Sequence, residues 1–116
     1  MKNTFTLAGM TFRLKNVRYG IHSEETPDYM ADLYCGKDLI ARVSNDGHGG
    51  STRAHWNHDK MELAMEINEK VRKEVWFTCK DGTKLYYSLG TVADEILYII
   101  ENNKLQARKS GAGKRI

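Results

Sequence analysis

The sequence predicts a small α+β domain in which a mainly antiparallel sheet of about five strands carries two helices, in the order β(β)ββ-α-ββ-α. Three observations lead to this prediction. Apolar and polar residues alternate over much of the first 44 residues, two later segments have helical spacing, and short turns typical of hairpins join neighbouring strands. Because 116 residues suffice for one domain with its own core, we expect residues 1–103 to form that domain.

Composition narrows the class of protein. The chain is 41% apolar and 28% charged and contains one proline, which is typical of a globular protein. It has no apolar run of about 18 residues that could cross a membrane, and residues 5–10 are too short and too polar for a signal peptide. We therefore expect a cytoplasmic protein that does not bind membranes, with Cys35 and Cys79 as buried, reduced thiols.

The N-terminal part of the chain predicts two strands joined by an Ala-Gly turn. In the second strand Phe12 and Leu14 share one parity, whereas Val17 and the apolar residues after it share the other. One inserted residue explains such a change, so we predict a β-bulge at residues 15–16. The acidic, proline-containing residues 23–28 predict a surface loop.

The next two strands are predicted on either side of a turn at residues 36–38. A three-residue turn keeps the apolar side chains of both strands on one face, and it sets Cys35 opposite Leu39. In the same register Asp32 lies opposite Arg42 on the other face. We expect these two side chains to form a cross-strand ion pair.

Two segments with helical spacing follow. The first helix is predicted to begin at Asp59, since Asp-Lys-Met-Glu places acidic residues at the positive end of the helix dipole. The second is predicted to be capped by Thr91 and to stop at residues 102–103. Each has one apolar stripe, so both are expected to pack on the sheet with one face in solvent.

Between the two helices the sequence predicts the strongest hairpin of the chain. Residues 80–82 fit a type I turn followed by a left-handed glycine. That register predicts an inward-facing set of Val75, Phe77, Cys79, Leu85, Tyr87 and Leu89. It predicts that Trp76 and Tyr86 pair on the outward face of the sheet.

The C-terminal residues carry the basic character of the chain. Residues 104–116 contain five basic residues and no acidic one, so the net charge of +3 divides into +5 for this segment and −2 for residues 1–103. The segment has no apolar periodicity, and we expect a flexible tail. This uneven distribution of charge favours an anionic partner.

A glycine-rich stretch between the fourth strand and the first helix is the candidate binding surface. Its candidate residues are Asp46, Gly47, His48, Gly49, Gly50, Arg53 and Trp56. Successive N–H groups in such a loop can form an anion-binding nest, although the spacing matches neither a P-loop nor a dinucleotide-binding motif. The alternative is a plain connection between two elements, positioned by packing of Trp56.

Two other classes of site remain open. The histidines His48, His55 and His58 could hold a metal ion with one open position, as in a small metal-dependent hydrolase, or could simply be exposed loop residues. A nucleic-acid site could instead use cations of one strand and of the tail, with Trp76 and Tyr86 stacking on bases. Those cations are Arg13, Lys15, Arg18, Arg108, Lys109, Lys114 and Arg115.

Two segments carry a resemblance. Residues 28–37, Asp-Tyr-Met-Ala-Asp-Leu-Tyr-Cys-Gly-Lys, and residues 43–50, Val-Ser-Asn-Asp-Gly-His-Gly-Gly, resemble a pattern in small uncharacterised proteins of bacterial phages and mobile elements. The resemblance implies a mobile-element context and supplies no catalytic residues. We therefore expect a non-enzymatic module without a cofactor that binds a protein partner, for example to inhibit a host defence system. Nucleic-acid binding and metal-dependent hydrolysis are the alternatives.

Overall fold

The computed structural model describes residues 3–20 and 28–114, with the backbone alone for residues 108–114. The surface loop predicted for residues 23–28 therefore lies outside the described residues, apart from Asp28. Arg115 of the predicted tail lies outside them as well.

A five-stranded antiparallel sheet forms the body of the protein, and its strands lie side by side in chain order. They are β1 (Thr4–Leu7), β2 (Met10–Tyr19), β3 (Asp28–Cys35), β4 (Asp38–Asp46) and β5 (Arg53–Trp56). The α+β class and the antiparallel sheet are confirmed. The fifth strand differs from the prediction, because β5 lies within the stretch that we expected to be a loop.

The turn and the bulge predicted near the N-terminus are present. Ala8 and Gly9 both have positive φ, 52° and 76°, as a two-residue turn between β1 and β2 requires. The pairing of β2 with β3 shifts between Lys15 and Arg18, and Asn16 lies there with φ of 56°. The bulge allows Phe12 and Leu14 to remain in the core while the end of the strand changes face.

The β3–β4 pairing agrees with the prediction except next to the turn. Asp32 lies opposite Arg42, and their side chains form an ion pair with Nε and Oδ1 3.4 Å apart. Cys35, however, lies opposite Asp38 rather than Leu39. The turn has two residues instead of three, and a bulge restores the register beyond it. This bulge allows two consecutive residues of β4, Ile40 and Ala41, to be fully buried.

Two helices cover one face of the sheet. Helix α1 (Met61–Val71) follows a 3-10 turn at His58–Lys60, and helix α2 spans Leu89–Lys114. The core lies between helices and sheet; its largest fully buried side chains are Phe12, Leu33, Ile40, Val43, Val71, Leu89, Val92 and Ile96. The opposite face of the sheet, here called the open face, carries no helix.

The ends of the helices differ from the prediction at three points. The α-helix α1 begins two residues after Asp59, because the side chain of Asn57 caps the 3-10 turn by accepting the Asp59 N–H. Ser88 rather than Thr91 caps α2, since its Oγ accepts the Thr91 N–H at 3.2 Å. Helix α2 also continues past residues 102–103 to Lys114. Each asparagine costs a helix only about a few tenths of a kcal/mol relative to better helix formers. Two asparagines are therefore not enough to end the helix.

The hairpin between the helices forms a separate two-stranded sheet, β6 (Val75–Thr78) and β7 (Lys84–Tyr86). Its register sets Val75 opposite Tyr86 and Phe77 opposite Leu85, so the predicted pairing of Trp76 with Tyr86 is wrong. Cys35 and Cys79 are free thiols that are only partly buried. No helix in the described part of the chain is long and apolar enough to span a bilayer.

Candidate functional site

The glycine-rich loop joins two antiparallel strands, β4 and β5, and its backbone is held from within. The Asn45 side chain donates from Nδ2 to the Gly50 carbonyl at 2.9 Å and accepts the Gly47 N–H at Oδ1, also at 2.9 Å. Asp46 Oδ1 accepts the His48 N–H at 3.1 Å. Because these two N–H groups already have acceptors, the loop does not present them as a nest for an anion.

Thr52, at the end of the loop, belongs to a polar cluster that joins the sheet to α2. Its Oγ1 accepts from Asn45 Nδ2 at 3.2 Å and donates to the carboxylate of Asp94. Tyr29 donates to the same carboxylate oxygen at 3.1 Å. Burial raises the pKa of Asp94, and burial likewise raises the pKa of Tyr29 above its usual range. A Cβ on Gly90 would lie 2.1 Å from the Thr52 carbonyl oxygen, so helix and loop are in close contact.

The two large side chains of the predicted loop site lie on opposite faces of the sheet. Arg53 is exposed on the open face, opposite Ser44, whereas Trp56 pairs with Ala41 and packs against the core. Asp46 and His48 are exposed. Trp56 therefore lies apart from the other candidates, whereas Asp46, Gly50 and Arg53 line one cleft.

The three histidines are exposed and belong to three different elements: His48 to the loop, His55 to β5 and His58 to the 3-10 turn. Among residues 3–20 and 28–114, no group of three or more His, Cys, Asp or Glu side chains is arranged to hold a metal ion. The structure therefore provides no ligand set for the metal-dependent alternative.

The β6–β7 hairpin exposes apolar side chains on both of its faces. We call this set the hairpin surface: Val75 (42% exposed), Trp76 (46%), Phe77 (55%), Leu85 (42%) and Tyr86 (51%). The prediction that Val75, Phe77 and Leu85 face the core is wrong. The hairpin is not part of the five-stranded sheet, and the helices already fill the space above that sheet.

Hydrogen bonds at its base and at its turn hold the hairpin in place. The Tyr87 N–H donates to the Glu74 carbonyl at 3.0 Å, and Trp76 Nε1 donates to Glu95 of α2 at 3.1 Å. At the turn, Asp81 accepts the Thr83 N–H at 2.9 Å, and this bond lowers the pKa of its carboxyl. The apolar side chains are thus displayed on an ordered scaffold.

The sequence carries a signal for the hairpin surface. Val75, Trp76 and Phe77 are consecutive, as are Leu85 and Tyr86. In a strand, consecutive residues lie on opposite faces, so a two-stranded hairpin with such runs is apolar on both sides. If such a hairpin packed on the core, one of its apolar faces would be buried and the other would remain in solvent.

The predicted nucleic-acid residues fall into two groups. Arg13, Lys15 and Arg18 lie on the open face of the sheet, and the ring of Tyr34 has the Arg13 guanidinium 5.4 Å and the Lys15 ammonium 4.8 Å from its centroid. The tail cations belong to the backbone of α2 as far as it is described; these are Arg108, Lys109 and Lys114. Trp76, proposed to stack on bases, lies on the separate hairpin instead.

Comparisons with models of protein families, with curated proteins and with solved structures found no match. Two surfaces of the described residues differ from the rest in composition: the hairpin surface is apolar, and the open face carries several cations.

Proposed function

We propose that the protein is a non-enzymatic binding module and that the hairpin surface is its contact site for a protein partner. The observation that carries this proposal is the exposure of five large apolar side chains, each between 42% and 55% exposed, on one short hairpin. Contiguous exposed apolar patches on soluble proteins commonly mark interaction sites, and aromatic residues are enriched in the centres of interfaces.

The hairpin surface contributes no side chain to the core of the described residues, although Trp76 donates a hydrogen bond to Glu95 of α2. The core cluster contains none of its five residues, not even among the partly buried side chains packed against that cluster. About half of each side chain is still in water, so its complete burial would add part of the roughly 1.5–3 kcal/mol that burying one whole side chain yields. A partner that covers them recovers this free energy on binding.

The hairpin also indicates the kind of partner. Trp76, Phe77 and Tyr86 offer aromatic anchors that fit an apolar groove. Lys80 and Lys84 are exposed beside them and favour a groove with an acidic rim. In addition, a two-stranded sheet has two unpaired edges, and either can add a strand from the partner.

The resemblance to small proteins of phages and mobile elements supplies a biological setting for the proposal. In that setting the module acts in the cytoplasm of a bacterium and binds a component of a host defence system. The partner's activity would fall when the hairpin surface occupies its groove. This version makes the partner a protein of the host rather than a second copy of the chain.

The proposal is tested by introducing charges into the hairpin surface and measuring which bound proteins are lost. The full chain, immobilised on beads, is incubated with a bacterial lysate beside the double variant Phe77→Glu/Leu85→Glu. Because both residues lie outside the core, we expect the circular dichroism of the variant to match that of the parent. A partner bound by the parent should be lost from the variant, and its dissociation constant should then be measured with purified components.

The matched control is Tyr98→Glu, which places a charge at an apolar residue of α2 that is 70% exposed. This variant should retain the partner with unchanged affinity. Identical sets of bound proteins for parent and double variant would contradict the proposal. Sedimentation velocity of the purified chain alone tests whether the hairpin surface binds a second copy. A dimer of the parent that the double variant abolishes would show that the second copy, rather than another protein, covers this surface.

A further inference from the structure

The open face of the five-stranded sheet carries cations from three strands, β2, β4 and β5. The pairing aligns Arg18, Met30, Ser44 and Arg53 in one row across the sheet. The neighbouring row consists of Lys15, Asp32, Arg42 and His55. Arg13 lies beyond this second row, opposite Tyr34. The sequence alone suggested the cations of β2, and the structure adds those of β4 and β5.

Among the residues that the structure describes, most of these cations form no ion pair with a carboxylate. Arg42 pairs with Asp32 at 3.4 Å, and its side chain remains 65% exposed. No ion pair involves Arg18, Arg53 or Lys15 among the residues that the structure describes. A surface that leaves several positive charges unpaired attracts a polyanion.

Tyr34 keeps the remaining pair of cations in position. Its ring centroid is 5.4 Å from the Arg13 guanidinium and 4.8 Å from the Lys15 ammonium, within the range of cation–π attraction. The Nε of Arg13 is buried and has no hydrogen-bond acceptor among the described residues. These contacts hold both side chains over the face, which reduces the entropy lost when they bind a ligand.

The dimensions of the face suit an extended strand rather than a single small anion. Neighbouring β-strands lie about 4.8 Å apart, so Arg18 and Arg53 are separated by three intervals, or about 14 Å. Between them lie Ser44 and the side chain of Met30, which is 46% exposed. This row lines part of a cleft of about 720 Å³, which Asp28 and Asp46 also line.

Acidic residues limit where a polyanion can lie. Asp28 and Asp46 face each other at one end of β3 and β4, next to the row of Arg18 and Arg53. Repulsion from these carboxylates directs a ligand away from that end and toward Lys15. The favoured path therefore runs across the sheet over the two cation-bearing rows.

From this arrangement we propose that the open face binds single-stranded nucleic acid, with Lys15, Arg18, Arg42 and Arg53 contacting its phosphates and Met30 packing against a base. A flat sheet face has no protruding helix to enter a duplex groove, whereas basic surfaces with exposed apolar side chains accommodate unstacked strands. This site is separate from the hairpin surface and does not depend on the protein partner proposed there.

Fluorescence anisotropy with a labelled 12-nucleotide single strand, DNA and RNA in separate series, tests the proposal on the full chain. The variant Arg18→Gln/Arg53→Gln removes two exposed charges, and the control Lys80→Gln/Lys84→Gln removes two exposed charges from the hairpin. We expect the first to weaken binding by at least about tenfold and the second to leave it unchanged. The slope of log K against log salt should fall in magnitude by about 1.4 for the first, since each phosphate contact contributes about 0.7.

Three results would overturn the proposal. The first is absence of binding at low salt, and the second is equal loss in the two double variants. The third is equal competition by an unlabelled duplex. A triple variant, Arg108→Gln/Lys109→Gln/Lys114→Gln, tests the C-terminal part of α2. If that variant abolished binding and Arg18→Gln/Arg53→Gln did not, the site would lie on the helix and the open face would be excluded.

Discussion

The five-stranded sheet and the β6–β7 hairpin are built from similar strands, yet they differ in what covers them. Phe12 in β2 is fully buried beneath the helices, whereas Phe77 in β6 is 55% exposed. Both lie in antiparallel strands with apolar neighbours. The difference shows that apolar residues in a strand are buried only where a second layer covers the strand. In this protein the helices supply that layer for the sheet, and we propose that a partner supplies it for the hairpin.

The sharpest test of the comparison replaces the same residue type in both regions. Phe12→Ala should lower the free energy of unfolding by about 3–5 kcal/mol, because it removes a fully buried ring and leaves a cavity. Phe77→Ala should lower it by less than about 1 kcal/mol, since the ring is already half in water. Urea denaturation followed by circular dichroism measures both. Similar losses for the two variants would show that the hairpin is packed in solution.

A smaller loss in the free energy of unfolding is expected when the hydrogen bonds that attach each region to α2 are removed. Thr52→Val removes the hydroxyl shared by Asn45 and Asp94 in a largely buried cluster, and should cost about 1–3 kcal/mol. Trp76→Phe removes the exposed bond to Glu95 and should cost less than about 0.5 kcal/mol. Thr52→Ser, which keeps the hydroxyl, is the control for the first variant. If Thr52→Val were as mild as Trp76→Phe, the cluster would not hold α2 to the sheet.

The smallest effect concerns pH. Burial raises the pKa of Asp94 above its ordinary value, so the folded state binds a proton more tightly there than the unfolded chain does. This contribution to stability is fully present below the ordinary pKa and is lost as pH rises through the raised pKa of the folded protein. Because an asparagine at this position does not titrate, the free energy of unfolding of Asp94→Asn should rise relative to that of the parent as pH increases through this interval. Urea midpoints of parent and variant at a series of pH values measure the difference, and parallel curves would contradict the expectation.

The parts of the fold that could be predicted are those where one buried face imposes a register. The parity change between Leu14 and Val17 predicted the bulge, and the pairing of Asp32 with Arg42 followed from the apolar residues around it. These inferences needed only local patterns. The predicted length of the turn at residues 36–38 was wrong, because a bulge can compensate for a shorter turn. A three-residue turn and a two-residue turn with a bulge bury the same faces of the two strands.

Other elements could not be predicted from local patterns. β5 has four residues, too few to show a period, and its pairing with β4 depends on a loop that folds back through Asn45. The hairpin surface required knowing that α1 and α2 already occupy the space over the sheet. The open face required the register of β4 with β5, which brings Arg53 into line with Arg18 across two intervening strands.

The hydrogen bond between the Tyr87 N–H and the Glu74 carbonyl closes the hairpin where it leaves and rejoins the rest of the chain. The twelve residues from Val75 to Tyr86 therefore form an insertion whose two ends are adjacent, and the hydrogen bond from Trp76 to Glu95 attaches it to α2 as well. Substitutions at Phe77 or Leu85 should leave the packing of sheet and helices untouched, because neither side chain belongs to the core. In the role that we propose, selection can alter the contacts of this hairpin with its partner while the packing of the core maintains the stability of the domain.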